Sequence, residues 1–340
     1  KSRFVSGPAC TTTPQVAFMF PGGGAQYANM ARGLYETEPV YAAEIDSCAG
    51  LLQPILGLDI RTLMFPSGDE QAASRKLETP SLALPALFAT EYALARLWGA
   101  FGVLPSALIG HSMGEYTAAC LAGVMSLQDG LALVCCRGRL FETLPQGGML
   151  SIPLSEADAR KHLGPDIDFA AVNRPNQCVA SGSVADVEAA KAKLEASGIE
   201  PTRIHINVAA HSRLVEPILN EFRAFVTNIK LSPPRIPIIS NTSGAYLTDS
   251  EATDPEYWAR HLRGTVQFSR GLEALFSTGQ FALVEVGPGQ TLSTFARQHP
   301  SRPAAAAVVS SLRHPQESVP DGRFLSIALG KLWIAGVTLD

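Results

Sequence analysis

Along the 340 residues, short unbroken apolar runs alternate with longer stretches in which apolar positions recur every third or fourth residue. Residues 15–20 and 107–109 are runs of strand length, each passing into glycine-containing turn chemistry. Residues 84–98 instead carry Leu87, Tyr92, Leu94 and Leu97 at helical spacing, with Pro85 tolerated in a first turn, and lead through Phe101-Gly102-Val103 to the second strand. Helices are predicted over 116–124 and 131–140. Together these elements predict an α/β body built on a parallel sheet.

From Gly147 the order changes. A strand at 149–153 precedes Ser155-Glu-Ala-Asp158, an N-cap with acidic first-turn residues, and a short helix ending near Leu163. Strands at 169–172 and 178–181 flank Asn173-Arg-Pro-Asn176, whose residues favour a turn. A helix over 185–196 and a strand around 203–206 complete a βαββαβ series, the order of a split βαβ unit inserted into the larger body. Another helix is predicted beyond His211, with Ile218, Leu219, Phe222 and Phe225 as its apolar positions.

Composition narrows the function classes. At 46% hydrophobic and 17% charged, the chain can bury a large core in about two structural units, which excludes a disordered class. A net charge of −4 offers no evident basic face, which argues against nucleic acid as a partner. There is no signal-like start and no apolar run of spanning length, so a soluble protein with no membrane partner is expected. Cys10, Cys48, Cys120, Cys135, Cys136 and Cys178 lack CxxC spacing and mostly fall in apolar segments; buried thiols, a cytoplasmic setting and no metal are expected. Lys1 at the start and a tail from Ser301 rich in Pro, Arg and Ala read as cuts through a longer polypeptide.

The most informative chemistry is Gly110-His-Ser-Met-Gly-Glu115, set between a strand and a helix as in a nucleophile elbow. A serine on such a turn projects its hydroxyl off the sheet edge, and the next helix aims its first amides at an acyl oxygen. Ser112 is therefore the candidate nucleophile, and its hydroxyl needs a neighbouring base at neutral pH. Of the seven histidines, His111 is locked into the elbow, His162 and His205 fall in the inserted unit, and His299 and His314 lie in the tail, which leaves His211 and His261. A capping or surface role is the alternative for His211. Phe20-Pro-Gly-Gly-Gly-Ala-Gln26 has neither dinucleotide nor phosphate-loop spacing, so its backbone amides are the better use. Arg137 falls on a predicted helix beyond Ser112, and its planar fork can grip a free carboxylate through two charge-assisted hydrogen bonds. A basic surface face shared with Arg139 is the other reading of it.

Five motifs stand in the order and spacing of malonyl-CoA:acyl carrier protein acyltransferases: Phe20 to Gln26, Gly110 to Glu115, Arg137-Gly-Arg-Leu140, Ala210-His-Ser-Arg-Leu214 and Glu285-Val-Gly-Pro-Gly289. The chain most resembles the acyltransferase domain of a modular type I polyketide synthase, over residues 14–340. The resemblance implies an α/β-hydrolase-like large subdomain with a parallel sheet (14–146 and 208–300) and an inserted ferredoxin-like βαββαβ small subdomain (147–207). Residues 1–13 look like the end of an upstream ketosynthase–acyltransferase linker. Residues 301–340, with Ser310-Ser-Leu-Arg313 and Leu329-Gly-Lys-Leu-Trp333, look like a post-acyltransferase linker.

The implied activity is transfer of a malonyl-type extender unit from coenzyme A to the phosphopantetheine thiol of an acyl carrier protein through an acyl-serine, without a bound cofactor and with a ketosynthase domain in the same polypeptide. Carried over residue by residue, the resemblance makes Ser112 the acyl acceptor and His211 its base in a dyad. It makes His261, within Arg260-His-Leu262, the histidine orienter through its main chain, and the amides of Gly23 and Met113 the oxyanion hole. Arg137 becomes the ligand of the substrate's free carboxylate. The sequence departs from the commonest pattern at Gly23 and Leu84, where many relatives have glutamine. Val208-Ala-Ala-His211 matches neither His-Ala-Phe-His nor Tyr-Ala-Ser-His, the patterns that accompany malonyl and methylmalonyl selectivity. Met113 in place of glutamine tilts the expectation to malonyl, with Val208, Ala210 and Met113 as selectivity residues. Two other classes stay open on the residues alone: a serine hydrolase or thioesterase, which has less use for Arg137, and a non-catalytic docking domain.

Overall fold

The computed structural model describes residues 13–204 and 206–340, so His205, Cys10 and all but the last residue of the segment read as an upstream linker lie outside it. The strands are, in chain order, β1 (Gln15–Phe20), β2 (Ala107–Gly110), β3 (Gly147–Ile152), β4 (Asp168–Arg174), β5 (Gln177–Ser183), β6 (Thr202–Ile204), β7 (Ile238–Ile239), β8 (Phe281–Glu285) and β9 (Val308–Ser310). They form two sheets. The larger, in the order β7-β2-β1-β8-β9, is parallel at every pairing. Its central strand is buried on both faces, so alternate side chains feed different cores: Val16, Phe18 and Phe20 one, Ala17 and Met19 the other. That is why β1 reads as an unbroken apolar run.

The smaller sheet, β4-β5-β3-β6, is antiparallel throughout. Helices Glu156–His162 and Val184–Ala196 pack on it, the latter burying Val187 and Leu194 in one core with Leu150, Ile152, Phe169, Cys178 and Ala180 of the strands. Ser155 and Ser183 cap these helices, their side chains accepting from the amides of Asp158 and Asp186 at 3.1 Å, contacts worth about 1 kcal/mol each. The βαββαβ order and the parallel body are those read from the sequence. The fold is α/β, a parallel sheet carrying a separate four-stranded unit.

Several boundaries differ from expectation, and three of the differences bear on the packing. The helix expected over 84–98 runs Pro80–Ala100, so Pro80, not Pro85, occupies the first turn, and Pro85 lies inside the helix. An interior proline costs about 3 kcal/mol, which is outweighed because Leu84, Leu87, Phe88, Leu94 and Trp98 are all buried, each side chain contributing about 1.5–3 kcal/mol. The last strand of the small sheet ends at Ile204 rather than at Ile206. Beyond Ser301, where the sequence reads as a linker, Val308–Ser310 becomes the edge strand of the large sheet, and helix Asp321–Ile334 buries Leu325, Ala328 and Leu332. Asp321 accepts from Gly33 N–H at 3.0 Å, and Trp98 Nε1 donates to Ser311 Oγ at 2.8 Å, so this segment is bonded into the body.

Among the described residues, no helix is long and apolar enough to cross a membrane, and no group of three or more His, Cys, Asp or Glu is placed to hold a metal ion. The five described cysteines are buried and unpaired.

Candidate active site

The turn between β2 and helix Gly114–Ala122 is tight enough to exclude side chains on both flanks of Ser112. A Cβ on Gly110 would meet the Glu115 nitrogen at 2.1 Å, and one on Gly114 would meet the Phe20 carbonyl oxygen at 2.2 Å. Glycine is required at both places for lack of room. Ser112 itself has φ 53°, in the left-handed region, which costs a non-glycine residue about 1–3 kcal/mol. The conformation throws its side chain toward the loop carrying His211, which is also left-handed at φ 56°. The His111 N–H donates to the Phe20 carbonyl at 2.9 Å and anchors the elbow to the end of β1.

Three side chains predicted from sequence meet here. Ser112 Oγ lies 2.6 Å from His211 Nε2, and Arg137 Nη2 donates to the same Oγ at 2.9 Å. His211 Nδ1 lies 2.8 Å from the carbonyl of Gly264. A carbonyl only accepts, so the proton belongs on Nδ1 and Nε2 is free to take the serine proton. Burial holds the His211 pKa well below the ordinary histidine value, and the Arg137 charge and His261 push it the same way. The imidazole is neutral at neutral pH.

Arg137 is 2% exposed. It projects from helix Leu127–Glu142, with its guanidinium carbon 5.2 Å from the Tyr116 ring centroid and 5.1 Å from that of Phe141. Burial lowers its pKa, yet guanidinium stays charged at any working pH. Its Nε and Nη1 have no hydrogen-bond partner among the described residues. A buried cation with idle donors is costly unless an anion arrives to pair with it.

One placement corrects the sequence reading. The carbonyl against His211 belongs to Gly264, three residues beyond His261. His261 lies instead with its ring 6.2 Å from that of His211, its Nδ1 3.2 Å from the Tyr116 hydroxyl and its Nε2 3.5 Å from Glu115 Oε2. The chain leaves helix Pro255–Arg263 at Gly264, and the carbonyl that faces His211 is the one just past the helix end.

The other candidates surround the dyad. Met113 is fully buried at the head of the elbow helix, and neither its N–H nor that of Gly23 donates to a protein acceptor among the described residues. Leu84 Cδ2 lies 3.2 Å from where a Cβ on Gly23 would stand, so this leucine fills the space beside the glycine loop. Val208 is half-buried and Ala210 buried; the Ala210 carbonyl accepts from Ser181 Oγ on β5 at 2.9 Å. The small sheet borders the site a second time through Asn173, whose Oδ1 lies 2.8 Å from His111 Nε2. It is tied down behind by Val172 N–H to Val266 O at 2.8 Å and Val266 N–H to Ala170 O at 2.9 Å. Sequence reasoning missed Gly264, Asn173 and Asn241, the last of which accepts the Ser112 N–H at 2.6 Å.

The family model described as acyl transferase domain matches residues 17–337. Over 332 residues the chain is 38% identical to one component of the phenolphthiocerol/phthiocerol polyketide synthase of Mycobacterium tuberculosis (strain CDC 1551 / Oshkosh), covering 98% of this chain and 22% of that protein. It is 35% identical to mycoketide-CoA synthase of Mycobacterium tuberculosis (strain ATCC 25618 / H37Rv), covering 97% of this chain and 8% of that one. The chain thus spans only a small part of the curated relatives it matches. Among solved structures, the acyltransferase domain of SpnD in complex with 2-(pent-4-yn-1-yl)malonyl superposes with a TM-score of 0.90 at 40% identity, over 97% of this chain and 78% of that one. FabD from Acinetobacter baumannii superposes at 0.82 with 26% identity, over 95% of this chain and all of that one.

Proposed function

Because the chain belongs to the acyl transferase domain family of polyketide synthases, we propose that it moves a malonyl unit from coenzyme A to the phosphopantetheine thiol of an acyl carrier protein. The observation that carries this reading is Arg137, a buried guanidinium with two idle nitrogens and its third on the nucleophile. A malonyl group brings a free carboxylate to such a fork; an acetyl group does not, and leaves the charge unpaired.

The steps follow from the atoms present. As the Ser112 oxygen bonds to the thioester carbon, its proton passes to His211 Nε2. Negative charge develops on the former carbonyl oxygen, which the N–H groups of Met113 and Gly23 are free to receive. Collapse breaks the carbon–sulfur bond, and the thiolate of coenzyme A takes the proton back from His211. The carrier's thiol then repeats the sequence in reverse: His211 removes its proton, sulfur attacks the acyl-serine, and Ser112 Oγ leaves and is reprotonated. The carbonyl of Gly264 keeps His211 in the required tautomer and stabilises the imidazolium while it exists. No acid is needed behind the histidine.

Malonyl is preferred to methylmalonyl on Met113, which follows the nucleophile, with Val208 and Ala210 before His211 as the other selectivity residues. One experiment tests donor, nucleophile and extender together. Incubation with a mixture of malonyl-CoA and methylmalonyl-CoA, read by intact mass, is expected to give chiefly a malonyl adduct on Ser112. The adduct should move to an added carrier protein and be absent from Ser112→Ala. Rapid release of free acid without carrier would replace transfer by hydrolysis, and a dominant methylmalonyl adduct would overturn the extender.

A further inference from the structure

The structure assigns Asn241 as a positioning residue that ties the nucleophile turn to the loop steering its base. The assignment rests on Ser112 and His211 being the reacting pair. Asn241 follows β7, whose Ile238 and Ile239 pair with Leu108 and Ile109 of β2, so it stands beside the end of β2 where the elbow begins. It is buried, and each of its polar groups is used. Oδ1 accepts the Ser112 N–H at 2.6 Å, and Nδ2 donates to the Gly110 carbonyl at 2.6 Å. One donor and one acceptor at these places fix the orientation of the amide. The Asn241 main-chain N–H donates to Glu115 Oε2 at 2.6 Å, within the elbow helix. Its carbonyl accepts from Gln267 N–H at 2.8 Å. Gln267 is three residues past Gly264, whose carbonyl holds His211.

One residue therefore bonds to the turn before the nucleophile, to the nucleophile's own amide, to the helix after it, and to the loop that orients the base. Ser112 holds a left-handed conformation that it would leave if nothing opposed relaxation. Without the Asn241 amide, a buried N–H and a buried carbonyl lose their partners on either side of that strained residue. The fit between Oγ and Nε2 then depends on contacts that no longer fix the turn, and misplacement of about 1 Å is enough to slow a reaction by about 10²-fold. The same bond has a second consequence: the Ser112 amide is already committed, so oxyanion donors must come from Met113 and the glycine loop.

The test compares Asn241→Ala with Leu325→Ala, a truncation in the remote helix Asp321–Ile334, in the whole chain. Single-turnover acylation by malonyl-CoA is expected to fall about 10²-fold in the maximal rate, with the half-saturating concentration changed less than about two-fold. Inactivation by a small sulfonyl fluoride, which needs only Ser112 and His211, should fall in parallel. Leu325→Ala should lower thermal stability while leaving both rates per folded molecule unchanged. Wild-type rates in folded Asn241→Ala, or losses that track only the unfolded fraction in both variants, would overturn the assignment. If Asn241→Ala does not fold, amide exchange in the unaltered protein decides: Ser112 N–H should be as protected as the amides of β2, and exchange at the rate of an exposed loop overturns the role. Absence of any malonyl adduct on the unaltered protein would defeat the proposed function instead, while the sulfonyl fluoride comparison still judges Asn241.

Discussion

At the scale of single residues, Arg137 and His211 are set against each other: a buried positive charge close to an imidazole that must remain neutral to act as a base. That opposition gives each a distinct signature. Arg137→Ala removes the cation that donates to Ser112 Oγ, so malonyl loading should fall by about 10²-fold or more while acetyl loading holds or rises, since a carboxylate left without its fork is penalised and a methyl group is not. Equal losses for both acyl groups, measured by competition and intact mass, would remove Arg137 from selectivity. For His211, burial, the neighbouring guanidinium and His261 all favour the uncharged form. A base whose pKa is held down keeps working at lower pH, so the acylation rate should stay flat as pH falls through 6.5 and drop only well below it. A rate that halves near pH 6.5 or above would contradict this electrostatic picture. Ser112, His211 and Arg137 could be picked out from the sequence because side-chain type announces their chemistry. Gly264 could not, because the group it contributes is a carbonyl that every residue owns. Asn241 was equally silent, since an asparagine after a strand gives no sign of bonding across the fold to residues 110–115.

At the scale of elements, the elbow depends on two absent side chains. Gly110→Ala would drive a Cβ into the Glu115 backbone nitrogen, and Gly114→Ala would drive one into the Phe20 carbonyl. Backbone atoms of a packed helix and strand cannot step aside as a flexible side chain can. Each substitution should cost more than about 3 kcal/mol or prevent folding, seen as a large fall in Tm or in soluble yield. Gly50 supplies the contrast. It lies inside helix Pro39–Leu56 with nothing within 4 Å of a built Cβ, so Gly50→Ala should stabilise by about 0.5–1 kcal/mol through lost chain entropy alone. Should Gly110→Ala prove as harmless as Gly50→Ala, the strand and helix are not packed as tightly as described. The elbow was legible because its glycine spacing and flanking strand and helix are local. The start of helix Pro80–Ala100 was misjudged because the interior Pro85 has the look of a first-turn residue, and only burial on neighbouring helices explains why the helix continues through it.

At the scale of the whole molecule, the sequence revealed the order of elements but not where the last of them go. The segment after Ser301 has a linker's composition, yet β9 closes the open edge of β8 in parallel, with helix Thr291–Gln298 as the crossover, and its Pro-, Arg- and Ala-rich surroundings mask the short strand. Distance along the chain does hide the buried acids. Glu91 lies fully buried where helix Pro80–Ala100 meets the elbow helix, its side-chain methylene beside the Gly287 turn; Oε2 accepts from Thr117 Oγ1 at 2.6 Å, and Oε1 has no partner among the described residues. Burial raises its pKa well above the ordinary 4.5, nearby Glu285 pushes the same way, and the Thr117 bond only partly opposes them. The folded protein therefore keeps a proton that the unfolded chain releases once pH passes 4.5, so stability falls as pH rises, at about 1.4 kcal/mol per unit until the buried group ionises. Glutamine matches the neutral acid in shape and has no proton to lose. The histidines with lowered pKa, and Glu285 itself, remain in both proteins and cancel in the difference. Glu91→Gln should accordingly gain on the unaltered protein as pH is raised from 5 to 8, by denaturant unfolding at each pH. A difference that stays constant across that interval would mean that Glu91 is already ionised in the folded state and finds an unrecognised positive partner.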